Sequence, residues 1–316
     1  MTISVAIQMD PVDNIDFESD SSYLIALEAQ RRGYVLYHYE PRALYFLNGQ
    51  VTAKANVLDI NHNSSKAMKL GKVVYINLDE IDVILVRQDP PFDMAYITTT
   101  YLLEKVKNNT LVLNNPSSIR DSPEKLLVTL FEDITPPTLI TSNLEQVILF
   151  RNTYKDIIIK PLYGNGGSGV FHLTPDDENL SSLVELFNTF FKEPMIIQKY
   201  LPEVRNGDKR IILVDGKPVG AINRVPAKGE ARSNMHIGGK AEKSNLNSND
   251  ELICKTIEPE LIKRGLHLVG IDVIGRFLTE INVTSPTGLQ EINKFNNTQL
   301  ENVIWDSIEQ KFAKGE

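Results

Sequence analysis

The stretch IIIKPLYGNGGSGVFHL, residues 157–173, constrains the fold more than any other part of the 316-residue chain. Gly164, Gly166 and Gly169 satisfy the spacing G-x-G-x-x-G, which three different structures can produce. A dinucleotide-binding unit needs a strand before the glycines and a helix after them, because the helix N-terminus holds the pyrophosphate. The β-branched run Ile157-Ile158-Ile159 supplies the strand. On the far side of the glycines, Val170-Phe171-His172-Leu173-Thr174 and then Pro175-Asp176-Asp177 read as a second strand ending in a turn. Strand, glycine loop, strand describes a hairpin. Its tip can cover a nucleotide phosphate, since glycine lets backbone N–H groups approach an anion closely. It can also be a turn that binds nothing.

The flanking sequence places this hairpin in a larger α/β pattern. Residues 1–122 alternate strand and helix: strand 3–8, a cap at Asp20-Ser21-Ser22, helix 23–32 stopped by Gly33, strand 34–39, strand 82–87, helix 96–107 and strand 111–113. That order predicts a parallel sheet with helices on its faces. Asn48-Gly49 marks a hairpin within residues 44–57. Asp121-Ser122-Pro123-Glu124 starts a new helix ending near Thr135-Pro136-Pro137. Residues 123–200 then form a compact unit with the glycine hairpin, a helix near 178–192 and a strand at 195–200. Residues 201–316 hold strands at 209–215, 218–225, 267–274 and 277–283, a glycine-containing loop at 226–244, and helices at 250–264 and 298–312.

A net charge of −8 argues against a general nucleic-acid binder. No apolar run reaches a membrane span and no leader-like segment opens the chain, so a cytosolic enzyme is expected. The single cysteine, Cys254, excludes an intrachain disulfide and reads as a buried bystander on helix 250–264. The five histidines show no zinc-ligand spacing.

Four features carry chemistry. Lys160 follows an apolar strand just before the glycines. The strand MIIQKYLP runs into Gln198-Lys199-Tyr200-Leu201, whose backbone can meet a purine edge. Asp272, Glu280 and Asn282 lie on two late strands, and Glu280 and Asn282, two residues apart, share a face. Two carboxylates and an amide oxygen are hard ligands suited to magnesium. Lys209, Arg210 and Arg224 add cations near the same sheet. Each feature also has a structural reading: a solvated lysine, a turn cap, an ordinary ion pair. Glu280 resists it best, because Leu278 and Ile281 predict an inner strand where an unpaired charge is costly. If Asp272 and Glu280 face one another, a two-residue turn at Gly275-Arg276 gives the wrong parity. A three-residue loop or a bulge at Gly275 is therefore expected.

Taken in order, MDP (9–11), DSS (20–22), EAQRRGY (28–34), DPPFD (89–93), EKL (124–126), KPLYGNGG (160–167), NGDKR (206–210), VDGKP (214–218), the glycine loop 229–239, VGIDVIG (269–275) and TEINVTSPT (279–287) resemble the prokaryotic glutathione synthetases, ATP-grasp ligases. The resemblance covers essentially the whole chain. It implies an N-terminal Rossmann-like, pre-ATP-grasp domain (1–122) and a two-lobed ATP-grasp fold, with a central lid subdomain (123–200) and a C-terminal catalytic subdomain (201–316). It implies ATP-driven joining of γ-glutamylcysteine to glycine through an acyl phosphate, with two Mg2+ ions that Mn2+ can replace, in a cytoplasmic homotetramer. By the same resemblance Lys125, Lys160, Gly164, Gly166 and Gly167 meet the phosphates. Gln198, Lys199, Tyr200 and Leu201 meet adenine, and Asp208 meets the ribose. Asp272, Glu280 and Asn282 hold metal. Arg210 and Arg224 serve catalysis and, with Ser285, Pro286 and Thr287, the substrate carboxylates. Loop 226–244 closes over the site. The glycine hairpin is then a phosphate flap. Tyr163, Asn165, Gln290 and Glu18 depart from the family pattern. Ligases adding glutamate or D-alanine, and non-catalytic ATP binders such as synapsins, share the fold and are the alternatives.

Overall fold

The computed structural model describes residues 2–60, 67–227, 229 and 238–315. In the first third, β1 (Ser4–Gln8), β2 (Val35–Tyr39), β3 (Leu44–Leu47), β4 (Gln50–Ile60), β5 (Met68–Asn77), β6 (Val83–Val86) and β7 (Leu111–Leu113) form one sheet. Its order is β3-β4-β2-β1-β6-β7, with β5 on the far edge of β4. Only β2-β1-β6-β7 is parallel. The segment expected as a hairpin at 44–57 is a longer antiparallel ribbon, β3-β4-β5. The exposed edge strand β5 has solvent against Lys69–Val73 on both faces, so its sequence shows no alternation to read.

Helix α1 (Ser21–Arg31) crosses from β1 to β2, and α2 (Met94–Glu104) from β6 to β7. The Asp20 carboxylate accepts the Tyr23 N–H at 2.7 Å, and Gly33, at φ +82°, ends the helix region. Asp93 caps α2 in the same way, accepting the Tyr96 N–H at 2.9 Å, so α2 begins two residues before the expected start. The chain runs outward in opposite directions from β1 and β6, leaving a crevice at their carboxyl ends. Asp10 and Asp89 face that crevice, and the Asp89 N–H donates to Asp10 Oδ2 at 2.8 Å.

After α3 (Pro116–Arg120), the helix expected to run from Glu124 toward Thr135 is a single turn, α4 (Glu124–Leu127), followed by 3-10 turns. A second sheet, β10-β9-β11-β8, is built from β8 (Thr138–Thr141), β9 (Ile157–Pro161), β10 (Phe171–Leu173) and β11 (Met195–Lys199). Helices α5 (Leu144–Tyr154) and α6 (Leu180–Phe190) cover it, burying Val147, Ile157, Ile159, Leu183, Phe187 and Ile197. Phe171, His172 and Leu173 pair antiparallel with Ile159, Ile158 and Ile157, so the glycine segment is a hairpin.

The third sheet is antiparallel throughout: β14-β13-β12-β15-β16, from β12 (Asp208–Val214), β13 (Lys217–Val225), β14 (Lys240–Lys243), β15 (Leu268–Ile274) and β16 (Phe277–Asn282). Helix α7 (Ser248–Lys263) opens on an Asn247–Asp250 capping box and buries Cys254, whose thiol burial pushes up to about 12. Helices α8 (Leu289–Asn296) and α9 (Leu300–Lys314) pack between the third sheet and α1. Ile212, Ile222, Ile292, Ile304 and Trp305 share one core with Val5, Ile7 and Ile25, and the Trp305 indole donates to Ile25 O at 2.7 Å. The Asn114 amide clamps the junction, donating to Leu268 O at 2.9 Å and Val283 O at 2.7 Å. Gln290 donates to Phe17 O and Asp20 O at 2.7 and 2.9 Å, anchoring the start of α1. Of the loop expected to close over the site, residues 228 and 230–237 lie outside the described residues, and 240–243 form β14.

Candidate active site

One cavity of about 270 Å3 lies where the three sheets meet. Its wall includes Lys125, Lys160, Gly164, Gly166, Gly167, Gln198, Lys199, Tyr200, Leu201, Asp208, Arg210, Arg224, Asp272, Glu280, Asn282, Ser285, Pro286 and Thr287. Residues spread over more than 160 positions of sequence are thus brought together by the fold.

Register sets the floor. Arg210 on β12 stands opposite Asp272 on β15, and Asp272 stands opposite Glu280 on β16. Gly270 pairs with Asn282, so Asn282 shares the face of both carboxylates. The connection differs from the expected one. Ile274 pairs with Phe277 across a two-residue turn, Gly275-Arg276, and parity is restored by a bulge at Thr279 rather than at Gly275. The Thr279 hydroxyl donates to Asp272 O at 3.1 Å, which gives the extra residue a bond inside the ladder. Gly275, at φ +59°, makes the turn itself.

Every carboxylate of this floor is met by a cation. Arg210 donates to Asp272 through Nε and, at 2.9 Å, through Nη2. Arg224 Nη2 reaches Asp208 at 2.6 Å and Asp272 at 2.9 Å. Lys160 Nζ lies 3.0 Å and Lys125 Nζ 3.8 Å from Glu280 Oε1. Burial works to raise the Asp272 carboxyl, but Arg210 and Arg224 overcome it and hold the group well below the usual carboxylate range. Lys160 and Lys125 likewise outweigh burial at Glu280 and lower it.

The roof is the glycine hairpin. Gly166, Gly167 and Gly169 all have positive φ, a region that L side chains rarely adopt. The Lys125 ammonium donates to Gly164 O, tying α4 to the flap. Tyr163 stacks on Phe92 of the first domain, with centroids 6.1 Å apart. At the back, Lys199 N–H donates to Pro137 O and Tyr200 N–H to Asp156 O, both at 3.0 Å, which fixes the segment leading to Leu201. The Gln198 amide donates to Thr138 Oγ1 at 3.1 Å. Asn165 and Ser168 line the roof as well.

Among the wall residues with no role in the sequence reading are Asp89, Glu124 and Thr284. Each lies in or beside one of the family-like motifs, so position in DPPFD, EKL and TEINVTSPT was the available signal. Arg87, buried nearby, donates to Ser22 Oγ at 3.0 Å and Pro286 O at 3.2 Å, linking the first domain to the Ser285-Pro286-Thr287 turn.

Two family models match the chain. The prokaryotic glutathione synthetase N-terminal domain matches residues 3–120, and the prokaryotic glutathione synthetase ATP-grasp domain matches residues 124–297. The chain belongs to the prokaryotic glutathione synthetase family. It is 53% identical to the glutathione synthetase of Agrobacterium fabrum over 308 residues, covering 98% of this chain and 97% of that one. It is 51% identical to the glutathione synthetase of Mesorhizobium japonicum, covering 98% and 99%. Among solved structures, D-cycloserine synthetase DcsG superposes with a TM-score of 0.69 at 11% identity, covering 98% of this chain and 99% of that one. The ATP-grasp ligase PsnB, complexed with a phosphomimetic variant of its minimal precursor, Mg and ADP, gives a TM-score of 0.61 at 15% identity, covering 98% and 99%. Those likenesses carry the ATP-grasp fold. No helix among the described residues is long and apolar enough to cross a membrane.

Proposed function

We infer that the chain is a glutathione synthetase, an ATP-dependent ligase joining the cysteinyl carboxylate of γ-L-glutamyl-L-cysteine to the amine of glycine. The observation that supports this reading at the site is the shared cavity, with paired carboxylates on its floor and lysines and glycines on its roof. A carboxylate is a poor electrophile. Transfer of the ATP γ-phosphoryl group to it gives an acyl phosphate and ADP. The glycine amine then adds to the carbonyl, phosphate leaves with the C–O electron pair, and the amide remains.

The chain's own groups have distinct parts in this proposal. Lys125 and Lys160 would offset phosphate charge, and backbone N–H groups of Gly164, Gly166 and Gly167 would cover the phosphates. Gln198, Lys199, Tyr200 and Leu201 would take adenine, and Asp208 the ribose. Arg210 and Arg224 would steady negative charge at the reacting centre. Arg224 Nε, buried without a hydrogen-bond partner among the described residues, is what it can offer a substrate. Ser285, Pro286 and Thr287 would bound the substrate's far end, and loop 226–244 would exclude water.

Asp272, Glu280 and Asn282 suit magnesium. Their oxygens are hard donors on one face, and the Lys160 ammonium already places a cation 3.0 Å from Glu280. Mg2+, two ions with Mn2+ as a substitute, supplies Lewis-acid offset of phosphate charge when bound. The division at 122/123 and 200/201, a homotetramer and a cytoplasmic setting go with this reading; sedimentation velocity reads the oligomer directly. The deciding assay supplies Mg·ATP with γ-glutamylcysteine and glycine, separately and together. Phosphate release should require both. Equal turnover with glutamate or D-alanine in place of glycine would overturn the reading.

A further inference from the structure

Among the carboxylates that line the cavity, Glu124 and Asp89 have no ion-pair partner among the described residues, and Glu124 is the one that adjoins Lys125. Asp208, Asp272 and Glu280 each lie within ion-pair distance of an arginine or lysine. No such pair involves Glu124 among the described residues. Its one hydrogen bond there is from the Thr284 hydroxyl, at 3.0 Å to Oε1. It sits half-buried on the first turn of α4, beside Lys125, whose ammonium reaches Gly164 O and the Glu280 side. A second, water-sized cavity of about 20 Å3 adjoins there, beneath Phe92 and Tyr163, and shares Glu124, Lys125, Gly164 and Thr284 with the main one.

The acceptor amino acid poses a problem that the cations of this wall do not solve. It arrives as a zwitterion. Lys125, Lys160, Arg210 and Arg224 suit its carboxylate and the phosphates but repel its ammonium. The amine must nevertheless come within bonding distance of the acyl carbon. A carboxylate already neutralised by arginine has little left to offer it. Glu124 has an unspent charge at the edge of that cation cluster. Burial, with Glu280 nearby, holds its carboxyl above the ordinary range despite Lys125, so an approaching ammonium meets a group short of positive charge.

We propose that Glu124 is the seat for the ammonium of the incoming amino acid, and so the residue that binds the acceptor's reacting nitrogen. This rests on the ligase reading above and adds the acceptor subsite to it. The test is steady-state kinetics on full-length Glu124→Gln and Glu124→Asp, with thermal melts to confirm folding. Glutamine keeps the shape and the Thr284 hydrogen bond but loses the charge. Losing one charge-assisted contact should raise KM for glycine about 10- to 100-fold, with the aspartate variant in between. KM for ATP should move less than about threefold. Positional isotope exchange in bridge-labelled ATP, run with γ-glutamylcysteine and no glycine, should persist, because acyl phosphate formation does not use the acceptor. An unchanged glycine KM overturns the assignment. So does a parallel rise in both KM values, a rise confined to γ-glutamylcysteine, or the glycine effect appearing in Asp89→Asn instead. If Glu124→Gln does not fold, the aspartate variant decides by the same split. Parent enzyme lacking glycine-dependent turnover would break the ligase reading itself.

Discussion

On the floor of the cavity, β12, β13 and β15 present Asp208, Arg210, Arg224 and Asp272 as side chains that neutralise one another, and β16 presents Glu280, which Lys160 meets from the roof. On the roof, β9 and its loop present one lysine and a series of backbone groups at glycine. The floor is a five-stranded antiparallel sheet whose charged residues stand opposite one another on neighbouring strands. The roof is a short hairpin on a four-stranded sheet, with three glycines at positive φ in its tip. The difference comes from the task of each surface. Buried charges need fixed partners, since a lost partner leaves a desolvated ion. A cover for phosphates needs close backbone approach and room to move, which glycine supplies at little contact energy. Stability and chemistry are therefore coupled on the floor and largely separate on the roof.

The sharpest break of that comparison is Asp272→Asn. It removes the carboxylate that Arg210 and Arg224 both contact and leaves two buried guanidinium groups, only one of which retains Asp208. Urea unfolding should show a loss of about 3–5 kcal/mol. Phosphate release should fall at least about 10²-fold. The sign with pH is also fixed. The Asp272 carboxyl is held lower in the folded state than in the unfolded chain, so its contribution is full above the unfolded pKa near 4 and disappears as pH falls toward the folded value. The parent should therefore lose stability in strong acid along a slope that Asp272→Asn flattens. A variant as stable as the parent would show that floor and roof are not built differently.

Much of this arrangement was legible in the sequence, for reasons that differ by region. The glycine hairpin was readable because a β-branched run before the glycines and a strand-like segment ending in a Pro-Asp turn after them leave few alternatives. Asp272 and Glu280 were readable because charge inside an apolar strand is rare. The location of the parity-restoring bulge was not. Thr279 takes it, and a β-branched residue carries no mark of a bulge, whereas Gly275 does and proved only to make the turn. β8 and α5 went unread because Thr138–Thr141 is a short strand behind two prolines. Glu124 went unread because what marks it, a place in the cavity wall with no ion pair among the described residues, depends on where Arg210, Arg224 and Lys160 arrive in space.

On the roof, two glycine substitutions sharpen the contrast. Gly169 has φ +71°, and a Cβ there would meet Pro161 Cγ at 2.8 Å. Gly166 has φ +63° with nothing within 4 Å. Gly169→Ala thus meets strain plus a clash with a proline ring, and Gly166→Ala meets strain alone, about 1–2 kcal/mol locally. Both should raise KM for ATP, Gly169→Ala the more, by roughly tenfold. Global unfolding should change less than for Asp272→Asn, because a loop tip opens locally without unfolding the sheet. Equal KM values for the two alanine variants would show that Pro161 yields freely and that only φ matters.

The smallest effect should come from Tyr163, where the roof touches the first domain. Its ring stacks on Phe92, which in turn packs against the buried Tyr96 at 5.3 Å. An aromatic pair of this kind contributes about 0.5–1.5 kcal/mol beyond area burial. If that contact favours the flap in its closed position, Tyr163→Ala raises KM for ATP about 2- to 10-fold with little change in the melting transition. Tyr163→Phe keeps the ring and should behave as the parent. Phe92→Ala should produce the same KM shift, and the double variant no more than either alone, because both remove one contact. Additive effects in that cycle would mean that Tyr163 and Phe92 act separately. The flap would then be held by Lys125 and Gly164 alone, with no part for the first domain in keeping the roof down.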